Sequence, residues 1–266
     1  MSTPNVAGSR SPTVSNPLFE FLLRHADDRL VLGHRMSEWC GHGPILEEDI
    51  ALANIALDLI GQATLLLKLA GEVEGAGRDE DALAFFRDSI AYRNVKLVEL
   101  PVGDFGFTIV RQFLFDAYSV LVLDALQHAT HEKHADLAGI AAKALKEDTY
   151  HLRHSSEWVI KLGDGTDESR ARAQAALDAC WRFTGELFEA DAVDTAVAAL
   201  GVTIDLAAVK SRWIEMVSDV AQRATLTLPG ETAMATGGRR GRHTEYLGHM
   251  LAEMQSVARA HPGATW

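Results

Sequence analysis

The sequence predicts an all-α protein, a bundle of four long antiparallel helices followed by additional C-terminal helices. Beyond residue 16, apolar residues recur at spacings of three and four along most of the chain. The interruptions are short runs of glycine, proline and acidic residues, which are typical of helix ends. No segment of useful length alternates apolar and polar residues as a half-buried strand would. These three observations favour a helical bundle.

The chain has 266 residues, which is enough to bury a substantial core within one domain. Residues 1–16 are rich in serine, proline and small polar residues and have no periodic apolar face, so we expect a disordered tail there. Residues 17–266 are expected to form a single helical domain.

The first two long helices have clear start signals. Helix one is predicted from Pro17, a favoured first-turn residue, to about Cys40, before the glycines and proline of residues 41–44. Helix two is predicted from near Glu47, where acidic residues suit the positive end of the helix dipole, to about Val73. Its predicted buried face consists of Ile50, Ala53, Leu57, Ile60 and Thr64.

The third and fourth long helices follow a short helix over residues 79–88 and an irregular connection through residues 100–103. The third, from about Phe105 to His131, is apolar almost all round, so it is predicted to lie centrally in the core. The fourth runs from about Ala135 to Leu162, and residues 163–165 (GDG) end it. The residues of the third helix expected to be most central are Phe113, Leu114, Phe115, Leu121, Val122 and Leu123.

The remaining chain is also predicted to be helical, over about residues 168–189, 191–200, 205–226 and 243–260. A loop over residues 229–242 contains a basic, glycine-rich run. Its arginines Arg239, Arg240 and Arg242 could bind a phosphate or an acidic partner surface, or could simply be solvated.

Composition and charge exclude several classes of function. A formal net charge of −12 argues against nucleic-acid binding, because phosphate backbones require clustered cations. The two cysteines, Cys40 and Cys180, cannot form a disulfide framework, which favours a reducing compartment such as the cytoplasm. No apolar run reaches about 18 residues and the first residues lack a signal-peptide pattern, so no membrane association is expected.

Asp148 and His151 form the sharpest chemical motif in the chain. Their spacing places a carboxylate and an imidazole on one helix face, about one turn apart. Di-iron bundle proteins use such a pair on each of two helices, with one further acidic residue from each of the other two. With 37 acidic residues and 11 histidines, chance alone gives on the order of one or two such pairs. A histidine satisfied inside a helical core is therefore the alternative interpretation.

Acidic residues on the other three long helices favour a metal site. They are Glu38 late in the first helix, Asp58 in the second and Asp116 in the third. Asp116 lies among phenylalanine, leucine and valine, where a carboxylate is costly unless it is paired, hydrogen-bonded or metal-bound. A salt bridge to Arg111 or another basic residue is the alternative.

The second helix argues against a complete site. Leu59 and Gln62 stand at the two positions where a second acid-x-x-His pair would be expected. Leucine cannot bind iron, and a neutral amide is a poor substitute for imidazole. His128, His131 and His134 could form a surface metal site, although basic residues near a helix C-terminus also suit the helix dipole.

Five longer runs carry a resemblance to a known family. They are residues 33–42 (GHRMSEWCGH), 46–63 (LEEDIALANIALDLIGQA), 111–118 (RQFLFDAY), 143–165 (KALKEDTYHLRHSSEWVIKLGDG) and 261–266 (HPGATW). These runs closely resemble the C subunits of bacterial phenylacetyl-CoA epoxidases. The likeness covers nearly everything after the tail.

The resemblance implies a ferritin-like subunit of a multicomponent monooxygenase of aerobic phenylacetate degradation. In that family the paralogous A subunit holds two irons and binds phenylacetyl-CoA, and an iron-sulfur flavin reductase subunit delivers electrons from NADPH. The complex inserts one oxygen atom into the aromatic ring as a 1,2-epoxide. The C subunit is the structural partner of the A subunit.

For this chain the resemblance implies a remnant of a di-iron site, with Glu38, Asp116, Asp148 and His151 at ligand-like positions. Asp58 and Gln62 belong to the same expected remnant. No catalytic residue, metal or cofactor is expected here, and the expected partners are the A subunit and the other subunits, the reductase included. Two alternatives stay open: the chain itself activates oxygen at a metal, or it is a stand-alone ferritin-like homodimer.

Overall fold

Four long helices form the body of the protein, as the sequence predicts. The computed structural model describes residues 15–129 and 133–264, and no strand occurs in those two ranges. The helices are α1 (Pro17–Ser37), α2 (Leu46–Glu74), α3 (Glu80–Phe85), α4 (Phe105–Ala129), α5 (Ala135–Gly163), α6 (Asp167–Trp181), α7 (Ala192–Leu200), α8 (Leu206–Arg223), α9 (Glu245–Met254) and α10 (Ser256–Ala260). The all-α fold is confirmed.

The long helices pack as two antiparallel pairs, α1 with α2 and α4 with α5. The long crossover that contains α3 joins the pairs, and α2 also lies against α5. This is the connectivity of a ferritin-like bundle. Helices α6 and α8 cover the outer side of α4, and α7 packs on α1. The centre of the bundle therefore receives side chains from α1, α2, α4 and α5.

Helix α1 begins where predicted, and its cap extends the folded chain by one residue. The side chain of Asn16 accepts a hydrogen bond from the backbone N–H of Phe19 and donates one to the carbonyl of Val73. Asn16 is thus part of the fold rather than of the predicted tail, and residues 1–14 of that tail lie outside the described range. The helix ends at Ser37, three residues before the predicted end, where the chain turns toward Gly41.

The predicted buried face of α2 was wrong. Leu57 is 67% exposed and Ile50 is 52% exposed. Thr64 is also exposed, and Ala53 and Ile60 are only half-buried. The buried face lies on the opposite side and contains Glu48, Leu52, Ile55, Ala56, Leu59, Gln62, Ala63, Leu66, Leu67, Ala70 and Gly71. Because both faces of α2 are apolar, spacing alone could not decide which of them packs inward.

Helix α2 also has the length and composition of a membrane span, contrary to the sequence expectation. One 18-residue window within Leu46–Glu74 has a mean hydropathy of 1.8, and 44% of that window is buried inside the protein. A core helix of a soluble bundle meets the same criterion. This property of α2 is therefore weak evidence for a membrane.

Helix α4 is central, as predicted, and all six residues expected at the core are buried. The helix is described as far as Ala129, and the predicted end at His131 lies outside the described residues. The predicted helix over residues 168–189 ends at Trp181 and is followed by a short 3-10 turn over Gly185–Phe188. The predicted helix over residues 243–260 is split into α9 and α10.

Two buried ion pairs attach the connecting segments to α1. Asp27 binds the guanidinium of Arg87, which follows α3. Asp28 binds Arg239 of the loop before α9, with a shortest N–O distance of 2.8 Å. All four side chains are less than 10% exposed. These pairs fix the crossover and the C-terminal loop against the bundle.

Candidate bundle-centre site

A guanidinium group from α1 lies at the centre of the four long helices. Arg29 donates from Nε to Oε1 of Gln62 on α2 at 2.9 Å and from Nη2 to Oγ of Ser119 on α4 at 2.9 Å. Its Nη2 is 3.9 Å from Oδ2 of Asp148 on α5. Arg29 also donates to the carbonyl of His25 within its own helix. One cation thus contacts side chains from all three other helices.

Asp148 is enclosed on both of its carboxylate oxygens. Oδ1 accepts from Nε2 of Gln62 at 2.9 Å and Oδ2 accepts from Oγ of Ser119 at 2.5 Å. Burial alone would raise the pKa of Asp148, but the adjacent His151 and the charge of Arg29 outweigh burial and lower it. Asp148 is therefore a charged carboxylate inside the bundle.

His151 lies between two carboxylates. Its Nε2 is 3.1 Å from Oδ2 of Asp58, whereas its Nδ1 is 3.5 Å from Oδ1 of Asp148 and makes no hydrogen bond. Burial lowers the pKa of His151, but Asp148, Asp116 and Asp58 together raise it to about 9. The buried imidazole is accordingly protonated at neutral pH.

Asp116 faces the same region from α4. Its carboxylate accepts from Nε2 of Gln112 at 2.6 Å and from Oγ of Ser155 at 2.7 Å. Burial raises the pKa of Asp116 to about 7, against the lowering effect of His151. The alternative salt bridge to Arg111 was wrong, because that side chain donates instead to the carbonyls of Leu100 and Pro101.

Glu38 lies apart from this group. It follows the last residue of α1 and binds Arg35 at 2.7 Å, with 42% of its side chain exposed. Of the sequence-predicted remnant, the residues joined by direct contacts are Asp58, Gln62, Asp148 and His151. Asp116 acts on His151 and Asp148 through its charge.

Comparison with known proteins assigns the chain to a family. Residues 7–266 match the family described as "Phenylacetic acid catabolic protein". The chain belongs to this family. It is also 47% identical over 251 residues to the C subunit of the 1,2-phenylacetyl-CoA epoxidase of Escherichia coli (strain K12), an alignment that covers 94% of this chain and 100% of the relative.

In this member of the phenylacetic acid catabolic family, the donor set of the bundle centre does not fit a pair of irons. The guanidinium of Arg29 places a positive charge next to Asp148, and the Gln62 amide directs its N–H at the same carboxylate. His151 could bind iron through Nε2 only by giving up its proton and its contact with Asp58. Within residues 15–129 and 133–264, no three or more His, Cys, Asp or Glu side chains are arranged to hold a metal ion.

The three loop arginines have different environments. The side chain of Arg239 is only 9% exposed, donates to both oxygens of Asp28 and to the carbonyls of Arg24 and Arg93, and so does not face a partner. Arg240 is half exposed and 3.9 Å from Glu189, and Arg242 is exposed. A phosphate or partner contact by Arg240 and Arg242 stays a prediction.

The surface histidine motif is only partly described. His131 lies outside the described residues, so a three-histidine site cannot be assembled from those residues. His128 is exposed and its Nδ1 is 2.7 Å from the carbonyl of Asp124, while Nε2 of His134 is 3.2 Å from the carbonyl of Leu200.

Sequence reasoning missed Arg29 and the hydroxyl and amide groups around the carboxylates. The available signal was the run Asp27-Asp28-Arg29, three consecutive charged residues that closely follow Arg24 and His25 in the middle of the first predicted helix. All three are almost completely buried. Buried charges require partners, so this run predicts contacts with distant segments.

We expect the imidazole of His151 to titrate with a midpoint near pH 9, because carboxylates surround it. Its contribution to stability is fully present below pH 6.5 and is lost as the pH rises through about 9. Nuclear magnetic resonance of imidazole-labelled protein measures this midpoint. His25 is an internal contrast, since burial and the nearby Arg29 hold its pKa well below 6.5. A His151 midpoint at or below 6.5 would contradict the assignment.

The variant Asp116→Asn should become more stable relative to the wild type as the pH rises. Because burial raises the pKa of Asp116 to about 7, its contribution is fully present below pH 3.8 and is lost through pH 7. The expected gain of the variant between pH 5 and 8 is roughly 2–3 kcal/mol, measured by urea unfolding. Asp124→Asn, at a half-exposed position of the same helix, serves as the control. If the difference in unfolding free energy between the variant and the wild type did not change with pH, the raised pKa of Asp116 would be contradicted.

Proposed function

We propose that this chain is a structural, non-catalytic subunit of a phenylacetyl-CoA epoxidase. The observation that supports this role is the Arg29 guanidinium, which contacts Gln62, Ser119 and Asp148 at the place where a di-iron bundle would hold its metals. The proposed substrate class, phenylacetyl-CoA, and the proposed multi-subunit assembly rest on the family membership and on the likeness to the C subunit of an epoxidase.

The charges of the bundle centre support the same proposal. Arg29 and the protonated His151 bring two positive charges, and Asp148, Asp58 and the partly ionised Asp116 balance them. Two iron ions would add positive charge to a region that already contains it, with no acidic residue at Leu59 to bridge them. The chain's own side chains therefore satisfy the carboxylates.

The proposed partners follow from the family. The catalytic A subunit would hold the irons and bind phenylacetyl-CoA, and the reductase would supply electrons to it. This chain would support the A subunit in the cytoplasm without holding a cofactor itself. It would contact neither nucleic acid nor a membrane.

The test compares the purified chain, the A subunit and their mixture, each with the reductase. We expect iron to be substoichiometric on this chain, and substrate-dependent oxygen uptake to require the A subunit. Two tightly bound irons on this chain, or turnover of phenylacetyl-CoA without the A subunit, would overturn the proposal. A homodimer that does not bind the A subunit would also overturn it.

A further inference from the structure

The outward side of α2 exposes several large apolar side chains, with the polar Asn54 and Thr64 among them. We call it the α2 face, and it contains Leu46, Ile50, Leu57, Gly61 and Leu65. Leu46 is 70% exposed and Leu57 is 67% exposed. Of the 13 large apolar side chains exposed in the described parts of the chain, six lie on α2, its N-cap or the neighbouring α5: Ile45, Leu46, Ile50, Leu57, Leu65 and Tyr150. Exposed apolar side chains that are grouped in this way, rather than scattered singly, indicate an interaction surface.

Gly61 provides an independent observation on the same surface. It lies in the interior of α2, where glycine is less favourable than alanine. A Cβ added at Gly61 would meet no atom of the chain within 4 Å, so the fold itself does not need a glycine there. A missing side chain on an outward helix face allows another backbone to approach closely.

The α2 face continues into a groove against α5. Leu65 and Lys68 of α2 line this groove together with Gly139 and Lys143 of α5. Gly139 resembles Gly61, because a Cβ added there would also meet nothing within 4 Å. Gly61 on α2 and Gly139 on α5 therefore both leave room for a neighbouring backbone to approach closely.

The charges beside the α2 face indicate the kind of neighbour. Helix α5 exposes four basic residues, Lys143, Lys146, Arg153 and Lys161, against the exposed acids Asp136 and Glu157. Lys143 pairs with Glu147 and Arg153 pairs with Glu157, each at 3.1 Å, so Lys146 and Lys161 supply the excess positive charge of this side, although the chain as a whole carries −12. An acidic partner surface complements this helix.

We propose that the α2 face is the docking surface for a helix of the partner A subunit. That helix would carry apolar side chains at spacings of three and four, flanked by acidic residues that face α5. The inference rests on the proposed function, which supplies the partner. From Leu46 to Leu65, α2 is about 28 Å long, and with α5 beside it the surface is about 20 Å wide. The corresponding area is roughly 560 Å² per partner, which lies at the small end of specific protein interfaces.

A membrane is the less suitable occupant of the α2 face. The other side of α2 is fixed to α5 by polar contacts, with Glu48 bound to His154 at 2.8 Å and Gln62 bound to Glu147 and Asp148. Glu47 and Asp49 also lie in the first turn of α2, beside the apolar stripe. A helix held in this way cannot leave the bundle to span a bilayer without breaking these contacts.

The test measures the affinity of the full-length chain for the A subunit by titration calorimetry. We expect Ile50→Asp and Leu57→Asp each to raise Kd by roughly tenfold or more, because a charge is then buried against an apolar helix. Val257→Asp is the matched control, since Val257 is 55% exposed and Ile50 is 52% exposed. Circular dichroism and thermal unfolding should show all three variants folded like the wild type.

The variant Gly61→Ala should raise the stability of the isolated chain but weaken its binding to the A subunit. We expect the Tm of the isolated chain to rise by about 2–4 °C, since alanine is the better helix former. Affinity for the A subunit should fall, because the added methyl group blocks the close approach. An unchanged Kd for Ile50→Asp, Leu57→Asp and Gly61→Ala would overturn the docking surface while leaving the proposed function intact.

The remaining outcomes separate the two proposals. If the wild type does not bind the A subunit, the proposed function fails. If the same variants disrupt a homodimer but leave binding to the A subunit unchanged, the occupant is a second copy and the docking proposal is wrong. Co-flotation with anionic phospholipid vesicles that Leu57→Asp abolishes would assign the α2 face to a membrane, which also overturns it.

Discussion

Replacing Arg29 by methionine is expected to lower the free energy of unfolding by roughly 3–5 kcal/mol. The variant removes the cation next to Asp148 and leaves the side chains of Gln62 and Ser119 each without one hydrogen-bond partner. Urea unfolding is the suitable measurement, because guanidinium chloride supplies the same cation that the variant lacks. Arg242→Met, at an exposed position, should change stability by no more than about 0.5 kcal/mol.

A second substitution tests whether the charge of Asp148 causes this loss. Asp148→Asn in the Arg29→Met background removes the uncompensated negative charge, so part of the lost stability should return. Additive losses in the double variant would mean that Arg29 acts through packing alone. A loss below about 1 kcal/mol for Arg29→Met would contradict the central role of the guanidinium.

The second large effect is expected for Arg239→Met, which should also lose roughly 3–5 kcal/mol. The variant leaves the carboxylate of Asp28, which is fully buried, without the guanidinium that binds both of its oxygens. Hydrogen exchange should then show faster exchange in the loop around Gly237 and Gly238, which Arg239 anchors to α1.

Arg240→Met provides the matched control, because this neighbour in sequence is half exposed and 3.9 Å from Glu189. Equal effects of the two substitutions would show that the loop depends on total charge rather than on the buried pair. Slow exchange of the loop in Arg239→Met would show that other contacts hold it, such as those of Glu186 with the backbone of Gly237.

The fold was predictable because helix periodicity and helix ends are local properties of the sequence. Helices α4 and α5 were located to within a residue or two wherever the structure describes them. The face of α2 was not predictable from spacing, since Leu57 and Leu59 are equally apolar and only one of them packs inward. The polar residues Glu48 and Gln62 mark the face of α2 that packs inward, but this can be recognised only when their contacts with α5 are known.

The candidate site was predictable only in part. The Asp148–His151 pair is local, so its shared helix face could be derived from spacing. The partners of Arg29 lie 33 and 90 positions away in the chain, at Gln62 and Ser119. Arg239 lies 211 positions from Asp28 and is surrounded by glycines, a pattern that ordinarily indicates a solvated loop. Contacts over such separations follow from the fold and not from any single segment.

The guanidinium at the bundle centre has a consequence for how the protein is made. A metal centre must be loaded after synthesis, and the free energy of folding then depends on the supply of the ion. Arg29 is part of the polypeptide, so it needs no loading step, and a guanidinium has no oxidation states to cycle through. The contacts of Arg29 with Gln62, Ser119 and Asp148 therefore form with folding itself and need no supply of an ion.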